Sequence, residues 1–375
     1  MKLKYKKPSI PPLSIIEKFS NEKVFLGIIV GVFMLSAAFY NQPQIAMWIG
    51  FLTASYATVS NDSIQSLGTF IESNKTRKWW IMWLFIGSIF IAVVTFSYIY
   101  FNGDVTYQRL TKPDGTTNYP HPENFSFFML MAPLTLLILT RLRMPVSTTF
   151  LMLSVFSSSS DGIISMVSKS VSGYLIAFII SGLIWYYGYN YIRKNFKSRK
   201  IHKGWNIGQW AVSGLLWAVW VMQDGANIAV FLPRRLDLTQ FIIFCSVIFI
   251  GLGLLFKLRG DKIQKVVSDK SRISDVRAAT LIDLSYAIIL IYKLFISTVP
   301  MSTTWVFLGL IGGREIAINL ARIKKGKKHK NKAIKMIGKD FLYATIGLVI
   351  SLLLAASVNT AIKTDLLIFV KELFT

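Results

Sequence analysis

Two short clusters carry residue types that bind cations. Asn61, Asp62 and Gln65 lie in one apolar run, and Gln223, Asp224 and Asn227 lie in another. Both read amide, aspartate, two residues, amide, with Asn and Gln exchanging places. An ionised carboxylate in the middle of a bilayer costs ~2.5–3.5 kcal/mol on insertion scales, so each aspartate needs a compensating partner. Sodium is one such partner, because a hard cation favours carboxylate, amide and carbonyl oxygens. An amide three residues beyond the aspartate shares its helical face. The plainer alternative is a lysine across the bundle, and Lys169 or Lys293 can serve.

A second pair of segments carries hydroxyls. Pro145, Val146, Ser147, Thr148, Thr149 has its counterpart in Pro300, Met301, Ser302, Thr303, Thr304. Proline is favoured at the first position of a helix, where its missing N–H costs nothing. Hydroxyls following it, with free N–H groups and the positive end of the helix dipole, form a donor cluster suited to an oxyanion. A single Ser-Thr-Thr run in a membrane helix more often bonds backbone carbonyls; two runs after prolines at matched spacing favour a ligand.

The elements that must position these residues are membrane spans. Of the 375 residues 53% are hydrophobic and 16% charged, and runs of roughly 20 mostly apolar residues recur along the chain. Polar links divide them into about eleven spans: 24–40, 43–71, 79–101, 125–140, 144–162, 170–192, 206–233, 239–257, 280–297, 300–320 and 338–360. The net charge of +24 is confined to the links 2–23, 75–78, 193–203, 257–277 and 322–335. That is the positive-inside distribution of cytoplasmic loops, with the N-terminus inside the cell membrane. Acidic lipid headgroups are therefore the expected partner of the basic residues. Nucleic acid is not expected, since no aromatic-and-basic module lies in a soluble stretch. The lone Cys245 supports neither a disulfide framework nor a zinc site.

Residues 43–71 and 206–233 are too long for one simple crossing and carry polar interiors, so they are expected to be broken helices lining a site. Three span positions separate Asp62 from Ser147 and Asp224 from Ser302 in this count. Five spans therefore repeat, and an odd number makes the second copy enter the membrane in the opposite sense. The expected fold is an all-α integral membrane protein of two inverted-topology repeats, the arrangement many secondary transporters use. The repeats occupy 24–168 and 169–321, between a basic N-terminal segment 1–23 and a basic loop 322–337, with 338–375 as final span and tail. The tail from 361 onward is expected to lie along the interface as an amphipathic helix.

Asn61, Asp62 through Gly68, Thr69, with both proline-Ser-Thr-Thr segments, resembles the inorganic phosphate transporter (PiT) family, which moves phosphate with sodium or protons. The resemblance covers most of the chain. It implies sodium or proton coupling around Asn61, Asp62, Gln65, Gln223, Asp224 and Asn227. It also implies contact with inorganic phosphate by Ser147, Thr148, Thr149, Ser302, Thr303 and Thr304. It further implies that the Ser-Thr-Thr segments lie in re-entrant helical hairpins, and it is compatible with a homodimer. The chain departs from the family where Phe150 and Trp305 replace a histidine after each Thr-Thr, and where Val230 and Phe231 replace a glycine and a proline. Those departures leave open another oxyanion such as sulfate, or a transport-inactive sensor or scaffold of the same fold.

Other candidates carry less. Asp161, Asp283, Arg314 and Glu315 lie in or near spans without counterparts between the halves, and Arg314 and Glu315 are placed to face each other or headgroups. His121, His202 and His329 fall in links without metal-ligand spacing and are expected to be solvated. No Walker-type Gly-Lys-Ser follows the glycines of 24–31 or 251–253. No nucleophile, base or cofactor motif can be assembled from the spans, so an enzyme is not expected.

Overall fold

Apolar runs that must satisfy every backbone N–H and C=O internally can only become helices when the surrounding medium is hydrocarbon. The computed structural model of the chain describes residues 23–142, 144, 146–195, 202–258, 275–323 and 330–374, and their regular structure is entirely helical. The elements are α1 (Lys23–Phe39), α2 (Pro43–Ser73), α3 (Trp79–Tyr100), α4 (Phe127–Arg141), α5 (Thr148–Ser154), α6 (Ser160–Asn195), α7 (Lys203–Ala229), α8 (Leu238–Lys257), α9 (Val276–Ile296), α10 (Thr303–Ile323), α11 (Lys330–Val358) and α12 (Thr360–Phe374). Most of the N-terminal segment, most of the basic links, His329 and Pro145 lie outside the described residues.

Five stretches are long and apolar enough to cross a membrane: Trp79–Tyr100, Ser160–Gly188, Leu238–Lys257, Val276–Ile296 and Ile334–Val358. Large apolar side chains face outward along these helices, Phe295 at 84% exposure among them. Such a surface fits lipid and not water. The chain is a helical membrane protein.

The helices pair in antiparallel fashion around the polar residues. On α2 and α7, Asn74 Nδ2 donates to Gln209 Oε1 at 2.7 Å near one end. Near the other end, Gly50 leaves room for Phe231, whose ring would lie 2.2 Å from a Cβ at that position. Asp62 and Asp224 come to similar depth as a result. α3 and α8 pair likewise, with Trp83 Nε1 on the Phe249 carbonyl at 2.9 Å and the Tyr98 and Phe241 rings 4.1 Å apart.

Two expectations about the spans are corrected. The run 43–71 lies within the unbroken 31-residue α2, and the run from 206 lies within the unbroken 27-residue α7 up to Ala229. Their polar side chains find partners on neighbouring elements, so no backbone group has to be freed. The run 144–162 is no span, because it contains the seven-residue α5, only ~10 Å long, and then the start of α6. The breaks fall instead before the Ser-Thr-Thr helices, between the end of α4 and α5 and between the end of α9 and α10. Proline favours a break by removing an N–H. It does not occupy the first helical position as expected: Pro300 stands three residues before α10, and Ser302 caps that helix.

α4 and α5 form a hairpin. α4 runs back along α1, with the Phe127 ring 5.6 Å from Phe33 and the Arg141 guanidinium 4.8 Å over Phe25. Phe125 before α4 meets Phe156 after α5 at 6.4 Å, so both open ends lie together. Further along the chain, Tyr286 in the middle of α9 donates to the Thr303 carbonyl at 2.9 Å. The link 297–302 therefore carries the chain from the end of α9 back to mid-helix depth, where α10 begins. α10 then runs beside α6, in contact so close that a Cβ on Gly309 or Gly313 would lie 2.3 or 2.1 Å from the Tyr174 or Phe178 carbonyl oxygen.

Candidate functional site

The two serine caps set the site. Ser147 Oγ accepts from Phe150 N at 3.1 Å and Ser302 Oγ from Trp305 N at 3.2 Å. Each cap satisfies one of the free N–H groups at its helix start. The threonines that follow turn towards the aspartate helices.

Asp62 is 1% exposed and Asp224 fully buried. Thr148 Oγ1 donates to Asp62 Oδ1 at 2.7 Å, and Asn61 Nδ2 donates to the same oxygen at 2.7 Å and to Thr148 Oγ1 at 3.0 Å. Thr140 on α4 supports this group by donating to Asn61 Oδ1 at 3.2 Å. Around Asp224, Thr303 Oγ1 donates to Oδ2, while Asn227 Nδ2 donates to Oδ1 at 3.0 Å. Thr149 Oγ1 also reaches Asp224 Oδ1, at 3.2 Å, and Asn227 Nδ2 contacts Thr149 Oγ1 at 3.2 Å. The two groups are thus joined: Thr149 follows Thr148, and the two carboxylates act on each other through charge. Thr304 Oγ1 completes the seam on the Val146 carbonyl at 3.4 Å.

The carboxylates are paired with hydroxyls and amides. Neither Lys169 nor Lys293 bonds them: Lys169 Nζ donates to the Ser297 and Val299 carbonyls at 2.8 and 2.5 Å, and Lys293 Nζ to Ser172 Oγ at 2.6 Å. Gln223 turns its amide N–H to the Leu290 carbonyl at 3.2 Å. Its Oε1, like Asn227 Oδ1, is buried without a hydrogen-bond partner among the described residues. Two orphaned acceptors beside a carboxylate are oxygens that a hard cation can use. Gln65 is only half-buried, and among the described residues no hydrogen bond ties it to Asp62.

With this geometry in hand, comparison with known proteins finds no match to any family model, curated protein or solved structure.

Some contributors are not apparent from the motifs. Arg109, in the link between α3 and α4, is 5% exposed and donates through Nη1 to the Ser297 and Val299 carbonyls at 3.0 and 3.3 Å. Burial lowers its guanidinium to about 10, and the negative charge of Asp224 opposes that shift. It stays cationic at neutral pH. Asp283 lies apart from the central network, buried between Thr69 on α2 and Ser213 on α7, and both hydroxyls donate to it. Its isolation in an apolar run was the sequence signal for it. Arg314 and Glu315 face each other, Nη1 to Oε1 at 2.6 Å, while Asp161 is exposed. His121 is not solvated as expected, since its ring stands edge-on to Phe125 at 5.9 Å with Nδ1 buried.

Proposed function

We propose that the chain is a secondary active transporter in the cell membrane that imports inorganic phosphate with sodium or protons by alternating access. The observation that carries this reading is the Thr149–Asp224 hydrogen bond, which ties the first Ser-Thr-Thr segment to the second aspartate cluster. Two carboxylates and four threonine hydroxyls meet in one buried network, and none of them faces lipid. Sodium is cargo in this reading, held by the Asp62 and Asp224 carboxylates and by the unpartnered amide oxygens of Gln223 and Asn227. Sodium on the carboxylate oxygens frees the threonine hydroxyls, each with one O–H, to turn to an oxyanion whose charge the cation offsets.

Alternating access requires two halves of opposite sense. Support for inverted repeats comes from the antiparallel α2/α7 and α3/α8 pairs. It also comes from the two returning segments, since α5 and α10 leave the middle of the bundle towards opposite ends. The charge of the links orients the N-terminus to the cytoplasm.

Uptake into proteoliposomes tests the reading. Phosphate should accumulate under a sodium or proton gradient, and the D62N and D224N variants should lose this. Accumulation that ignores both gradients, or that survives the double substitution, overturns it. One observation favours a second substrate on the same scaffold. Phe150 and Trp305 pack together where the family has histidines, so a tetrahedral oxyanion with no proton to share, such as sulfate, suits the site. Competition between the two anions separates the readings.

A further inference from the structure

Three basic side chains gather around one short link. The Ser297 and Val299 carbonyls accept from both Arg109 Nη1 and Lys169 Nζ, and Lys169 feels the charges of Arg109 and Lys293. Among the described residues no carboxylate forms an ion pair with any of the three. Burying basic groups this close together is costly, and the carbonyl dipoles and the charge of Asp224 on Arg109 compensate only in part. Donor capacity also remains. Arg109 Nε is buried with no partner among the described residues, and an ammonium has three N–H groups, of which Lys169 uses two. The link leads straight into the second hydroxyl segment: Val299 is four residues before Thr303, so at most ~14 Å separates them along the chain. Ser170, next to Lys169, accepts from Ser302 N at 2.9 Å.

We infer that Arg109, Lys169 and Lys293 form an anion-binding site at the 297–299 link, where a free tetrahedral oxyanion is held by charge beside the Thr149 and Thr303 hydroxyls. The inference rests on the transporter reading and supplies the positive charge that the two missing histidines do not. Lipid phosphate shares the chemistry, but the deep burial of Arg109 suits a small free anion. Arg109 also positions the link through its carbonyl bonds, so the test must separate anion binding from support of the fold.

The experiment uses the purified full-length protein in lipid-depleted detergent, with labelled inorganic phosphate and labelled sulfate as probes and melting temperature as a second readout. R109Q and K169Q should each weaken binding of the preferred anion roughly tenfold or more and abolish the rise in melting temperature that the anion gives the wild type. K169R should keep both. Should R109Q fail to fold, K169Q carries the test through its half-buried lysine. Wild-type affinity in folded K169Q overturns the inference and leaves gradient-driven uptake intact. Stabilisation by phosphatidylglycerol but by neither free anion overturns it in favour of a lipid site, and a wild type that binds neither probe overturns it too. A protein that binds phosphate through these residues without moving it keeps the inference and sinks the transporter reading.

Discussion

Phe150 and Trp305, the residues that follow the two Thr-Thr pairs, meet edge to face with ring centroids 5.5 Å apart and planes at 70°. The contact joins the starts of α5 and α10, and Trp305 Nε1 is buried there without a partner among the described residues. Truncating Phe150 to alanine removes a ring from a fully buried position and should destabilise the protein by about 3–5 kcal/mol. Thermal unfolding in detergent reads this. Replacing both rings by histidine introduces polar groups and, on the proposed transporter reading, should raise phosphate uptake relative to sulfate uptake. An unchanged ratio would show that these positions do not set selectivity.

Asp224 separates charge from hydrogen bonding. It accepts from Thr303, Thr149 and Asn227. D224N keeps an acceptor oxygen and nearly the same volume, so the fold should tolerate it while the cation coupling of the proposed reading is lost. D224A strands three buried donors, at a cost of about 1–3 kcal/mol for each one left unsatisfied. The expected pattern is a D224N protein that melts near the wild type but shows no sodium-stimulated uptake, and a D224A protein that melts much lower. Equal melting temperatures for the two variants would contradict the hydrogen-bond network.

Much of this site was legible in the chain because it repeats. Asp62 with Asn61, and Asp224 with Asn227, were found by pairing two clusters, and the Thr pairs by their matched spacing after prolines. Arg109 was not legible, because an arginine in a polar link reads as solvated until the fold buries it. The span pattern failed at α5 for a related reason: an apolar run does not say whether it is helical throughout, and in this one the helix begins only at Thr148. The expected breaks in α2 and α7 failed because polar side chains inside a helix can bond other side chains and leave its backbone intact.

The α6–α10 contact makes glycine at 309 and 313 a packing requirement. A methyl group on Gly313 would lie 2.1 Å from the Phe178 carbonyl oxygen, a backbone atom with no rotamer to escape into. G313A should therefore force the two helices apart and destabilise by about 1–3 kcal/mol or more. Gly208 on α7 and Gly338 on α11 have open space around a Cβ. Their alanine variants should be neutral or stabilising by up to ~1 kcal/mol, the usual helical gain over glycine. Melting temperatures of the three variants decide this, and a harmless G313A would contradict the close approach.

His121 should make the α3–α4 link sensitive to acid. Burial, and secondarily the positive charge of Arg234, lower its imidazole from 6.5 to about 4. Arg234 itself is fixed by donating through Nε to the Tyr119 carbonyl at 2.9 Å. A depressed histidine means that the unfolded link binds the proton more readily than the folded one. Between pH 4 and 6.5 the unfolded form therefore holds more protons, and stability rises with pH. The contribution is complete above about 6.5 and is lost as the pH falls towards about 4. Hydrogen exchange in peptides covering 117–126 should accelerate over that window in the wild type, and H121F, which keeps the ring against Phe125 but cannot take up a proton, should flatten the dependence. Equal acid sensitivity in H121F would assign the effect to another group, and Asp104 in the same link is not that group. Burial raises its carboxyl against the hydrogen bonds from Thr106 and Gln108. A raised carboxylate loses stability as pH rises, the opposite sign, so the direction of the pH response identifies which group is responsible.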